Sequence, residues 1–125
     1  MKQLTKAEEQ VMQYLWSLDK AFLKDLVESF PLPRPAYTTV STVIRVLVKK
    51  GFVGFNTYGK IHEYFPVVKK EDYLKGQFDE VVQDYFAGSV AKLASFLTRD
   101  KNLDINDLEE IRAIIDDQIS KKKKD

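Results

Sequence analysis

The sequence predicts a mainly helical protein with one small β-hairpin, on three observations. Apolar residues recur at helical spacing through most of the chain. Two aromatic and β-branched runs, Phe52-Val-Gly-Phe-Asn-Thr-Tyr58 and Ile61-His-Glu-Tyr-Phe65, flank Gly59-Lys60 and read as two strands joined by a tight turn. Pro31, Pro33, Pro35 and Gly51 separate the segments.

In chain order, Leu4-Thr5-Lys-Ala-Glu8 sets Thr5 as an N-cap with Glu8 three residues on, the reciprocal capping box. Val11, Met12, Leu15 and Trp16 follow at helical spacing, which predicts a first helix over residues 6–18. Leu23, Leu26, Val27 and Phe30 predict a shorter helix over residues 22–30. The prolines stop it, because each fixes its own φ and disfavours helix in the residue before it. A third helix covers residues 36–51, closed by Gly51 with Lys49 and Lys50 in the last turn, where cations suit the helix dipole. Pro66 ends the hairpin, since it cannot donate to a ladder. Helix, helix, proline-rich link, helix and hairpin is the order of a winged helix-turn-helix, whose third helix reads nucleic acid.

The third helix has two faces. At 100° per residue Val40, Val43, Ile44 and Leu47 point to a core, while Thr38, Ser41, Thr42, Arg45 and Lys49 point away. Thr and Ser are indifferent helix formers, so their stripe reads as donors to phosphates and base edges, or else as a solvated face. Arg45 is the candidate base reader, because a guanidinium can address guanine O6 and N7 with two parallel bonds or clamp a phosphate. Thr38, Ser41 and Thr42 lie near the helix start, where groove contacts are made, although Thr38 is also placed to cap. Tyr37 can donate its hydroxyl to a phosphate or pack its ring under the hairpin. Lys49, Lys50 and the hairpin-tip Lys60 are candidate phosphate contacts, with solvated lysine the alternative for each. Trp16, Phe52 and His62 read as structural.

Composition bounds the rest. In 125 residues, 44% hydrophobic content with 12% aromatics supports a real core. No apolar run approaches the roughly 20 residues needed to span a bilayer, and the N-terminus lacks a signal-peptide core, so a cytoplasmic location without membrane insertion is expected. The chain has no cysteine and one histidine, which excludes thiolate and multi-histidine metal sites, and no cofactor is expected. It has no glycine-rich phosphate loop, no Gly-x-Ser-x-Gly elbow and no His-Glu-x-x-His helix, so an enzyme is not expected. Charge is uneven along the chain. Residues 1–70 carry 11 Lys and Arg against 6 Asp and Glu, whereas residues 71–120 carry 5 against 12. The basic excess sits with the proposed reading head, as approach to a polyanion requires.

After Pro66 only helical patterns remain. Tyr73, Leu74, Phe78 and Val82 share one apolar stripe, Leu93 and Leu97 a second, and Leu108, Ile111 and Ile115 a third. Three short helices cannot cover that much apolar surface among themselves, so these nine residues are predicted to meet a second copy of the chain, the alternative being that the segment folds back on the winged helix of its own chain. Two-fold symmetry would set the paired third helices about 34 Å apart, in successive major grooves. The predicted division is a winged helix over residues 1–68, a helical dimerisation region over 69–120 and a basic, disordered tail over 121–125.

Several segments carry a family resemblance: Leu4-Thr-Lys-Ala-Glu-Glu-Gln-Val-Met12, Leu15-Trp16, Ala36-Tyr-Thr-Thr-Val40, Lys50-Gly51 and Tyr64-Phe-Pro66. Over residues 3–97 the chain resembles the bacterial penicillinase repressor family of BlaI/MecI-type transcriptional regulators. The resemblance implies a homodimeric repressor bound to an inverted-repeat DNA operator. It also implies relief of repression through a membrane sensor with a metallopeptidase domain, which triggers cleavage of the dimerisation region. The family is cut at an Asn-Phe bond, and the matching bond here is Ser95-Phe96, with serine where the family has asparagine. A copper-responsive branch of the family carries C-terminal cysteines, which this chain lacks. The rival reading is a winged helix that docks a polypeptide on its Thr/Ser face and does not bind specific DNA.

Overall fold

The computed structural model describes residues 3–124. Among them, six helices and three short strands follow in the order α1 (Lys6–Leu18), β1 (Ala21–Phe22), α2 (Leu23–Ser29), α3 (Tyr37–Lys49), β2 (Val53–Tyr58), β3 (Ile61–Pro66), α4 (Lys70–Tyr85), α5 (Val90–Thr98) and α6 (Ile105–Lys123). They fall into two compact units, one running to Phe78 and the other starting at Asp79.

The first unit is a winged helix-turn-helix. α1 opens on the predicted capping box: Glu8 N–H donates to Thr5 Oγ1 at 3.2 Å, and Thr5 N–H donates to Glu8 Oε1 at 2.9 Å. Val11, Met12 and Leu15 of α1, Leu26 and Val27 of α2, and Val40, Ile44 and Leu47 of α3 are buried together with Phe52 and Val53. Fully burying each of the larger aliphatic side chains contributes about 1.5–3 kcal/mol, so the core comes mainly from the apolar stripes of three helices. The sheet is antiparallel in the order β1-β3-β2, and Phe55 lies opposite Tyr64, Thr57 opposite His62 and Tyr58 opposite Ile61. Gly59, at φ +63°, makes the tight turn between β2 and β3 at little steric cost.

β1 was not anticipated. Ala21 and Phe22 pair with Tyr64 and Glu63 of β3, and Phe22 N–H then donates to Asp25 Oδ2 at 2.9 Å to start α2. The second helix is therefore shorter than the expected 22–30. Two residues are too few to show a strand period, and the apolar stripe of α2 absorbed them.

Three expectations about the second half need correction. The winged-helix unit extends past residue 68, because the first turns of α4 pack onto it. Tyr73, expected at a dimer interface, is instead buried in this unit: its ring lies 5.8 Å from that of Trp16 and 5.9 Å from that of Phe52, and its hydroxyl donates to Glu9 Oε2 at 3.1 Å. Trp16 is fixed there in turn by an indole N–H bond to the Val68 carbonyl at 2.9 Å. Finally, Lys121–Lys123 are not a disordered tail but the last turn of α6, where three ammonium groups sit at the negative end of the helix dipole and Lys121 lies 3.0 Å from Asp117. Asp125 lies outside the described residues.

The second unit is helical. Gly88, at φ +77°, turns the chain after α4, and Ser89 Oγ accepts the Lys92 N–H at 3.2 Å to cap α5. Asp104 and Asp107 form a capping box for α6 with bonds of 2.9 and 3.2 Å. Phe86 and Phe96 bring their rings to 5.6 Å. Yet neither α5 nor α6 holds a buried residue, although both are rich in Leu, Ile and Val.

Candidate nucleic-acid interface

Burial of Val40, Ile44 and Leu47 fixes the rotation of α3 about its axis, and the opposite face is presented outward. Tyr37, Thr38, Thr42, Arg45 and Lys49 are all exposed on it, and Ser41 is half-buried at its edge. Thr42 Oγ1 donates to the Thr38 carbonyl at 2.9 Å, which leaves the hydroxyl oxygen as an acceptor toward solvent. Arg45 Nε makes one long bond, 3.5 Å, to the Ser41 carbonyl, and the two terminal guanidinium nitrogens have no partner among the described residues. A fork of donors so placed is suited to guanine or a phosphate.

The start of α3 adds a feature that the spacing of side chains did not predict. Its N-cap is Ala36, with no side-chain hydrogen bond and no acidic residue in the first turn, so Thr38 does not cap. The Thr39 and Val40 N–H groups bond back to the Ala36 carbonyl at 3.1 and 3.2 Å, so the Tyr37 and Thr38 N–H groups are the ones left for an anion at the positive end of the helix dipole. The signal in the sequence was the missing cap residue at Ala36.

The wing stands beside α3. Lys60 is exposed at its tip, and Lys49 is exposed at the end of α3, with no ion pair recorded for either among the described residues. Between wing and helix runs a groove lined by Ser41, Arg45, Lys49, Phe55, His62 and Tyr64. His62 Nδ1 lies 3.0 Å from Thr57 Oγ1, and its ring lies 4.2 Å from that of Phe55, so it is held as part of the wing. Tyr64 is buried; its desolvation pushes the phenol above its ordinary value, with the Arg45 charge opposing.

Lys50 departs from expectation. Its ammonium lies 2.6 Å from Glu8 Oε1, with the carboxylate buried and the lysine half-buried. Burial raises the Glu8 pKa, but hydrogen bonds from Lys50 and Thr5 outweigh it and hold the carboxyl below its usual range. Lys50 therefore ties the end of α3 to the start of α1 and is withdrawn from the set that faces outward. Among the described residues, no group of His, Cys, Asp and Glu is arranged to hold a metal, and no helix is long and apolar enough to cross a membrane.

Known proteins share this organisation. Residues 4–117 match the family model described as penicillinase repressor. The methicillin resistance regulatory protein MecI of Mammaliicoccus sciuri is 25% identical over 114 residues, covering 90% of this chain and 93% of that protein. The penicillinase repressor of Bacillus licheniformis is 19% identical over 122 residues, covering 97% of this chain and 95% of its own. The solution structure of the DNA-binding domain of the repressor BlaI superposes with a TM-score of 0.50 at 24% identity, over 57% of this chain and 88% of that one, and agrees with the winged-helix fold of the first unit. The match along nearly the whole chain shows that this protein belongs to the penicillinase repressor family, whose members are transcriptional repressors rather than enzymes.

Proposed function

We propose that the protein is a sequence-specific DNA-binding repressor that acts in the cytoplasm as a homodimer on an inverted-repeat operator. The observation that carries this reading is the polar, cationic face of α3, turned outward by burial of Val40, Ile44 and Leu47. Arg45 reads a base; Tyr37, Thr38, Ser41 and Thr42 contact base edges and phosphates near the helix start; Lys49 and Lys60 neutralise phosphates on either side. The names of the relatives, a penicillinase repressor and a methicillin resistance regulator, support the same assignment.

Dimerisation is supported by what the second unit leaves uncovered. Phe96, Leu97, Ile114, Ile115 and Ile119 are each at least 47% exposed, large apolar side chains that a second copy would cover. Leu74, Phe78, Val82, Leu93, Leu97, Leu108, Ile111 and Ile115 form the proposed contact, without Tyr73. A membrane sensor with a metallopeptidase domain would relieve repression by cleavage at Ser95-Phe96. That bond lies inside α5, so cutting requires the helix to open, and a helix without buried residues opens at small cost.

Two substitutions separate base reading from charge neutralisation. Arg45→Ala should lower affinity for the specific operator by about 1–3 kcal/mol and relax preference at one base position per half-site. Fluorescence anisotropy against single-base operator variants checks it, and unchanged discrimination would remove Arg45 from the base readers. Lys60→Ala should weaken all duplexes alike and flatten the slope of log affinity against log salt by about one unit. An effect confined to one sequence would contradict that role. A winged helix used only to dock protein would bind its polypeptide without such a slope.

A further inference from the structure

Next to the outward face of α3, the first unit holds a cavity of about 560 Å³ whose interior none of the roles above uses, although Tyr37 and Lys60 stand at its rim. This lies within the roughly 300–1,000 Å³ typical of small-molecule sites. Its walls are mainly apolar: the rings of Phe22, Tyr37 and Tyr64 and the side chain of Ile61 line it, drawn from β1, the start of α3 and the wing. Phosphodiester groups do not fill such a space, because their charge is costly to bury against apolar walls. A flat ring does, since aromatic walls favour offset or edge-on stacking.

Charge selects the sign of the guest. Lys60 lines the cavity with no ion pair among the described residues, whereas Lys24 lies 3.9 Å from Glu28 and Asp25 already accepts the Phe22 N–H at 2.9 Å, so Lys60 is the cation left to select an anion. The adjoining groove shares His62 and Tyr64 with it and adds Arg45 and Lys49. Tyr64 is only 8% exposed, and no hydrogen bond to its hydroxyl is made among the described residues, which leaves a donor at the junction of the two spaces. We propose that this cavity binds a planar aromatic monocarboxylate, its ring between Phe22, Tyr37 and Tyr64 and its carboxylate toward Lys60 and the Tyr64 hydroxyl. Because Tyr37 and Lys60 also belong to the DNA-facing set, the bound anion opposes DNA binding; this second part rests on the operator-binding reading.

The test is calorimetric titration of the full chain, without DNA, with 2-naphthoate and with the cation of the same ring, 2-naphthylmethylamine, at constant ionic strength. Naphthoate should bind once per chain and the amine should not. Tyr64→Phe keeps the ring but removes the donor, and should weaken naphthoate by about tenfold. Leu23→Trp, which fills the cavity, should weaken it at least as much. No heat with naphthoate at millimolar concentration, equal heat with the amine, or full affinity in Tyr64→Phe would overturn the site. Anisotropy of a labelled duplex should then fall as naphthoate, but not acetate, is added. Binding of naphthoate with undiminished DNA affinity would overturn the antagonism. Failure to bind any duplex would instead refute the operator-binding reading, and the titration without DNA would still judge the cavity.

Discussion

Leu97→Asp combined with Ile115→Asp should convert the protein to a monomer and lower operator affinity by about 10²–10⁴-fold, the loss expected when two linked half-site contacts become one. Both side chains are 50% exposed, and neither α5 nor α6 holds a buried residue, so the substitutions disturb little within one chain. A carboxylate pair meeting its symmetry copy is another matter, since like charges set into an apolar contact are costly to desolvate. Sedimentation measures the oligomeric state, and anisotropy with a full operator and with a half-site measures the avidity. The account expects half-site affinity to be retained while the advantage of the full operator disappears. A double variant that stays dimeric would move the interface elsewhere.

Lys50→Ala should lower the stability of the winged-helix unit by about 2–4 kcal/mol, less than a fully buried pair would lose because the lysine keeps some contact with water. The Lys50 side chain is 23% exposed and that of Glu8 is 8% exposed, so removing the ammonium strands a carboxylate that also serves the α1 capping box. Urea denaturation at neutral pH measures the loss. A second signature comes from pH. The folded-state pKa of Glu8 lies below the usual value of 4.5, so the stabilisation it provides is complete above the unfolded pKa and is lost as pH falls through the folded one. The wild-type advantage over Lys50→Ala should therefore shrink as the medium is acidified below about pH 4.5. A variant as stable as wild type at neutral pH would show the pair to be incidental.

Local signals in this chain were legible and long-range commitments were not. The Thr5/Glu8 box, the two faces of α3 and the turn at Gly59 depend on residues within a few positions of one another, and all three stand as expected. β1 escaped because a two-residue strand exists only through its pairing with Glu63 and Tyr64. Lys50 read as a basic residue beside Lys49, whereas its partner lies 42 positions away on α1. Tyr73 shares a helical stripe with Leu74 and Phe78, and periodicity does not reveal that its ring closes the core against Trp16 and Phe52 while Leu74 and Phe78 remain exposed. Four consecutive lysines look like a charged tail, yet positive charge at a helix C-terminus favours the helix. The cavity beside α3 draws walls from β1, α3 and the wing, and no single segment of sequence carries its outline.

The central proposal is that the exposed hydroxyl and guanidinium face of α3 is the surface that meets the double helix. Nuclear magnetic resonance titration of the full chain with a duplex from around its own gene tests it most directly. Shifts concentrated at Thr38, Ser41, Thr42 and the Arg45 side chain, fading as salt is raised, are the predicted result. Shifts that bypass α3, or none at all in dilute buffer, would contradict it.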